Sequence, residues 1–153
     1  MRATRCEGRR GHDRFDAVFA TKQRGTISTI AIAPSVSDPD RRPAQMRVRT
    51  TASAQTTAWK QQVHSACASA APRDQIAGAL AVDIHFLVSP QRNWSTLWKP
   101  AIDALGPVLG MPNPSKPFQP NDDRIVSLGL HRTIAPDLGH DIELEVYWQT
   151  SAR

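Results

Sequence analysis

Residues 80–88 place a large apolar side chain at every second position, with Asp83 and His85 between them. Val82, Ile84, Phe86 and Val88 fall on one side of an extended chain, and Asp83, His85 and Leu87 on the other. Successive side chains of a strand point to opposite faces, so this period of two predicts a strand with one face in a core and the other in polar surroundings. Such a strand needs a cover for its apolar side. Thr51 to Ala70 is rich in Ala and Gln, and Ala58, Val63, Ala66 and Cys67 share a face, which predicts a helix able to supply that cover.

A second helix is expected from Ser95 to Leu105, with Ser95 as its cap and Trp94, Trp98, Ile102 and Leu105 on its buried side. Pro100 is tolerable near the first turns. Pro107, Pro112, Pro114, Pro117 and Pro120 make residues 106–120 a loop. Arg124 to Arg132 and Asp141 to Trp148 predict two strands, joined through Ala135–Gly139 as an antiparallel hairpin with a long turn. Upstream, residues 26–33 alternate apolar and small polar groups and predict a strand. Residues 34–45, with three prolines, predict a loop, and Arg47–Arg49 a short strand or turn. Residues 1–24 show no sustained periodicity and are expected to be a disordered or poorly packed extension, leaving 25–150 as a single domain. The expected fold class is α+β: a small mixed or antiparallel sheet with two main helices packed on one face.

Charge narrows the choice of partners. The chain of 153 residues carries a formal net charge of +5. Such a balance suits an anionic partner such as nucleic acid. Residues 1–50 hold 11 of the 19 Lys+Arg and 5 of the 14 Asp+Glu, so the basic excess lies in the N-terminal third. Arg41, Arg42, Arg47, Arg49 and Arg92 are the candidate phosphate contacts; a basic loop without a partner is the rival account of the first four. No run of 18 apolar residues occurs, so no membrane span is expected. Cys6 and Cys67 lack metal-ligand spacing and suit reduced thiols in a cytoplasmic protein.

The segment Asn93-Trp94-Ser95-Thr96-Leu97-Trp98-Lys99-Pro100-Ala101-Ile102-Asp103-Ala104-Leu105, followed by Asn121-Asp122-Asp123-Arg124-Ile125, resembles the active-site region of the RusA-type Holliday junction resolvases. That family shows a D-x-D-N-x-x-K-x-x-x-D-A-L helix start, then an acidic pair and two closing strands. The correspondence covers about residues 26–148, and its specific part is the Lys99–Leu105 run together with Asp122-Asp123. The resemblance implies a homodimer that acts on four-way DNA junctions with Mg²⁺ in recombination and repair. It implies a catalytic role for Lys99 and Asp123, with Asp123 as a metal ligand beside Asp122. The two leading aspartates of the pattern fall on Asn93 and Ser95, and its asparagine on Thr96.

Those departures bear on the chemistry. Mg²⁺ takes hard oxygen ligands and is usually anchored by one or two carboxylates. Metal-assisted hydrolysis uses the ion to activate water and neutralise phosphate charge. Asn93 and Ser95 offer only neutral oxygens. In an extended segment Asp122 and Asp123 would point to opposite faces, so only one would reach a shared ion. The expectation is weak or absent Mg²⁺ binding. A non-catalytic protein that binds junction DNA or a protein partner is therefore the alternative to the nuclease.

Blander accounts stand beside these. Lys99 and Asp103 have the i,i+4 spacing of a surface helix pair, and Asp103 is expected to be structural. Trp94 and Trp98 are expected in the core or at a dimer interface. Asp83 and His85, with His131, Glu143 and Glu145, suit a solvated sheet face, with a relocated cation site as its rival.

Overall fold

The alternating segment lies at the middle of a five-stranded sheet. In this computed structural model, which describes residues 17–22, 43–74 and 76–151, the strands are β1 (Ala17–Thr21), β2 (Met46–Thr50), β3 (Leu80–Val88), β4 (Ile125–Ile134) and β5 (Ile142–Thr150). The sheet order is β1-β4-β3-β5-β2. β3 runs parallel to β4 and antiparallel to β5, and the two edge strands pair antiparallel with their neighbours. The helices are α1 (Thr57–Ala70), α2 (Trp98–Asp103) and α3 (Gly106–Leu109). The α+β class expected from the sequence is what forms.

The expected hairpin does not form. β4 and β5 run in opposite directions, but β3 lies between them and bonds to both. Its backbone has a partner on each side, and Leu80, Val82, Ile84, Phe86 and Val88 are all fully buried. The centre of the sheet is where a strand of that apolarity loses most water. Residues 135–141 must therefore step over the end of β3, and Ala135 N–H donates to Val88 C=O (2.8 Å) as they do so. Two strand spacings are only about 10 Å, well within reach of that connection.

Three further expectations are corrected. Residues 17–21, placed in the extension, form edge strand β1 against β4. Gly106–Leu109, inside the proline-rich loop, is a turn of helix: Pro107 sits in the first turn, where its missing N–H costs nothing, and Val108 and Leu109 are buried. The third concerns the helix before it. Trp94–Thr96 is a 3-10 turn and α2 begins only at Trp98, so the 3.6-residue phase does not carry across. Trp94 is buried against Phe86, whereas Trp98 is 41% exposed, and Leu97, Ala101, Ile102 and Leu105 make the buried side. Asn93, rather than Ser95, caps the 3-10 turn by accepting from Ser95 N–H. The strand expected over 26–33 lies outside the described residues.

α1 starts at Thr57 because Thr56 ends the preceding turn. Its hydroxyl accepts a long hydrogen bond from Trp59 N–H (3.4 Å), a cap of the usual kind. Trp59, Val63 and Cys67, four residues apart, form the stripe that faces the sheet, while Ala58 is exposed. Trp59 Nε1 donates to Thr50 Oγ1 (2.8 Å), which donates to Ile142 C=O (3.0 Å). This buried chain ties α1, β2 and β5 together without leaving the indole N–H or the hydroxyl unsatisfied. The helices cover one face of the sheet. The other face carries Phe19, Asp83, His85, His131, Glu143, Glu145, Arg47 and Arg49, and no described helix covers it. Among the described residues no helix is long and apolar enough to cross a membrane.

Candidate functional site

α1, α2 and the proline-rich loop enclose a cleft of about 670 Å³ lined by Lys60, Lys99, Asp103, Lys116, Phe118 and Asp122, among others. Its floor is a chain of charges. Asp103, at the end of α2, accepts from Lys60 at Oδ2 (2.8 Å) and from Lys99 at Oδ1 (2.7 Å). Lys99 also donates to Asp122 Oδ2 (3.2 Å). The spacing of four along α2 brings Lys99 over Asp103, and the packing of α1 against α2 adds Lys60. Lys60 also stands over the Phe118 ring, 5.8 Å from its centroid.

The charge states follow from these contacts. Burial pushes the Asp103 carboxyl upward, but the hydrogen bonds from Lys60 and Lys99 outweigh it and hold the group below its ordinary value of 3.8. Lys99 is raised above its ordinary value, chiefly by its bond to Asp103; partial desolvation opposes this and Asp122 adds to it. Both groups are therefore held charged.

Asp122 reaches Lys99, and Asp123 does not. The pair lies in a 3-10 turn (Asp122–Arg124) rather than in extended chain. The turn aims Asp122 into the cleft and Asp123 outward, where Lys22, just past β1, donates to it (2.9 Å). Asp123 is 88% exposed. What holds the turn is Arg124, whose guanidinium donates to Gly78 C=O (2.9 Å), Leu109 C=O (2.9 Å) and Ile76 C=O. One planar fork thus joins three chain segments beneath the acidic pair. Nothing in the local pattern singled out Arg124, Lys60, Lys116 or Phe118, because each matters through a neighbour remote in sequence.

The remaining candidates lie apart. Asn93 Oδ1 accepts from Ser95 N–H (3.2 Å) and Ser95 Oγ (2.7 Å), so the two form a local turn and do not line the cleft. Arg47 and Arg49 belong to the uncovered sheet face, where Arg47 pairs with Glu143 and Glu145, and Arg49 with Asp141. Arg92 sits half-buried in the turn after β3, outside the cleft lining. Arg41 and Arg42 lie outside the described residues.

The candidate oxygen donors for a divalent ion are engaged by other groups in this arrangement. Asp103 and Asp122 already share Lys99, Asp123 is turned to Lys22, and Asn93 and Ser95 satisfy each other. Among the described residues no group of three or more His, Cys, Asp or Glu side chains is placed to hold a metal, the His85–His131 face included. The ammonium of Lys99 sits where two carboxylates would otherwise draw a cation. Against known proteins, no family model, curated protein or solved structure matches this chain.

Proposed function

We propose that this chain is a RusA-like DNA-binding protein that seats a backbone phosphate of branched DNA in the Lys60–Lys99–Lys116 cleft. The observation that carries the reading is convergence. The two segments whose joint occurrence resembles the resolvases, Lys99–Leu105 and Asn121–Ile125, meet in space at the Lys99–Asp122 contact. Three ammonium groups against two carboxylates leave the lining with a net charge of one positive unit, the sign a phosphodiester requires. Asp103 holds two of the three lysines in place before any ligand arrives, which lowers the ordering cost of binding. A homodimer with two such clefts suits the two-fold symmetry of a four-way junction, and Trp98, exposed beside Lys99, offers apolar area for that contact. The setting would be recombination and repair in the cytoplasm.

The second reading is a Mg²⁺-dependent endonuclease on the same junctions. The meeting of Lys99 with two carboxylates favours it. The engagement of those carboxylates by lysines favours binding without cleavage.

One experiment separates them. Labelled four-way junction is titrated with protein across a range of salt, with and without Mg²⁺ or Mn²⁺. Each phosphate contact contributes a slope of about 0.9 in log K against log salt, so Lys99→Ala should weaken binding and lower the slope by about one. Cleavage lost in Asp122→Asn and Lys99→Ala would assign the nuclease. An unchanged slope in Lys99→Ala, or no binding at low salt, removes the cleft from DNA recognition.

A further inference from the structure

The loop on one side of the cleft is two turns in succession. Asn113 C=O accepts from Lys116 N–H (2.9 Å), and Lys116 C=O accepts from Gln119 N–H (3.0 Å). Pro114 and Pro117 take the second position of each turn, where the fixed φ of proline suits the backbone. Asn113 Oδ1 also accepts from Ser115 N–H (2.9 Å), and Asn121 N–H donates to Gly110 C=O (2.9 Å) across the foot of the loop. The corner of the second turn carries Phe118.

Phe118 brings an aromatic ring into a cleft whose other side chains include three lysines and two aspartates. The ring is half-buried, yet it belongs neither to the buried core nor to the apolar side chains packed on the core's margin. His64 of α1 stands 6.0 Å from it and nearly perpendicular at 84°. The Lys60 ammonium is placed by Asp103 at 2.8 Å and lies 5.8 Å from the ring centroid. That is the outer limit of a cation–π approach and beyond van der Waals contact, so the ammonium flanks the ring without sealing it. The cleft of about 670 Å³ has the size of a small-molecule site, far more than one phosphate group fills.

We propose that the cleft seats a whole unpaired nucleotide of the branched DNA, with its phosphate on Lys99 and Lys116 and its base stacked on Phe118. This seating rests on the phosphate reading of the same cleft and adds the group that the ring recognises. Every base has a π-face, so the ring selects the unpaired state of a nucleotide and not its sequence. In a duplex the neighbouring bases cover both faces of each base, and Phe118 finds a partner only where stacking is interrupted, as at a branch or in a single strand. Offset stacking leaves the Lys60 ammonium beside the base, where its charge adds to the contact. Pro117 fixes the turn before any ligand arrives, so the ring is ordered at little cost on binding.

The test is an anisotropy titration of the full chain with three labelled probes: a single-stranded oligonucleotide, the same strand carrying abasic sites, and the matched duplex. The intact strand should bind at least about five-fold more tightly than the abasic one, the size of one base–aromatic stack. Phe118→Leu should erase that difference and leave the salt slope where it was, with the loss on the single strand exceeding the loss on the duplex. Phe118→Trp should restore the preference. Lys99→Ala should lower the single-strand salt slope by about 0.7, as one lost phosphate contact does. Equal affinity for intact and abasic strands, or a Phe118→Leu loss that is the same on strand and duplex, overturns the base seat; a slope that still falls in Lys99→Ala then leaves the phosphate reading standing. A slope unmoved by Lys99→Ala, or no binding at low salt, overturns both.

Discussion

Lys99 Nζ stands 3.2 Å from Asp122 Oδ2 although 23 residues separate them, and the same nitrogen holds Asp103 Oδ1 at 2.7 Å. One ammonium thus joins the short helix α2 to the turn that opens β4. The contact crosses the whole proline-rich connection, and the position of Asp122 depends on how Arg124 is held behind it.

Asp103→Asn should lower stability at neutral pH by about 1–2 kcal/mol, since one partly buried acceptor loses its charge toward two lysines. The sign with pH follows from the depressed folded value. The contribution of Asp103 is present above its unfolded value, near 3.8, and fades as pH falls through the lower folded value. Lys99 behaves in the mirror sense: its contribution is full below 10.5 and is lost as pH rises through its raised folded value. Urea unfolding of wild type and variant from acid to alkaline pH should show the two curves converging at the acid end. A gap that persists unchanged in strong acid would contradict the charge-based account.

Arg124→Lys should destabilise by about 1–3 kcal/mol despite keeping the charge. A lysine cannot offer a rigid fork to the carbonyls of Ile76, Gly78 and Leu109, and at least one of them is left unpaired. Denaturant midpoints measure the loss. The same variant should weaken binding to a four-way junction, because the turn that presents Asp122 to Lys99 is no longer pinned.

Thr50→Val keeps the shape of a fully buried side chain and removes its hydroxyl. The Trp59 indole N–H then has no acceptor, at a cost of about 1–3 kcal/mol. The companion Trp59→Phe removes the donor as well, so the double variant should cost less than the sum of the two singles. Strict additivity in that cycle would show that the bond carries no coupling.

Cys67 is buried on α1, and burial pushes its thiol up to about 12, with a backbone hydrogen bond involving Val108 opposing in part. The thiolate is the reactive form, so this cysteine should ignore thiol reagents at neutral pH until the protein unfolds. In a Cys6→Ser background, labelling of Cys67 should follow global unfolding across a urea series. Fast labelling in native buffer would mean that α1 opens locally.

Much of the local structure was legible in the sequence. The period of two in residues 80–88 marked the bounds of β3 and four of the five residues of its buried face, Leu80 being the one not named, because alternation across a strand is a backbone property that needs no knowledge of the partner. The spacing of four between Lys99 and Asp103 marked their ion pair for the same reason: both ends lie on one short helix. The α1 stripe was legible only in part. Val63 and Cys67 were found, but Trp59 was missed and Ala58 misplaced, since Ala-rich helices carry a weak apolar phase.

Strand partners and the identity of the carboxylate in the cleft were decided elsewhere. Two strands joined through residues 135–139 look like a hairpin with a long turn when read locally, yet β3, whose apolar row is fully buried, lies between them. β1 has too little apolar pattern to declare itself and exists because the open edge of β4 supplies its hydrogen bonds. Asp122 and Asp123 are chemically identical and adjacent in sequence. Only the 3-10 turn held by Arg124 sends one to Lys99 and the other to Lys22, because that geometry is set by carbonyls from residues 76, 78 and 109, which no local pattern can place.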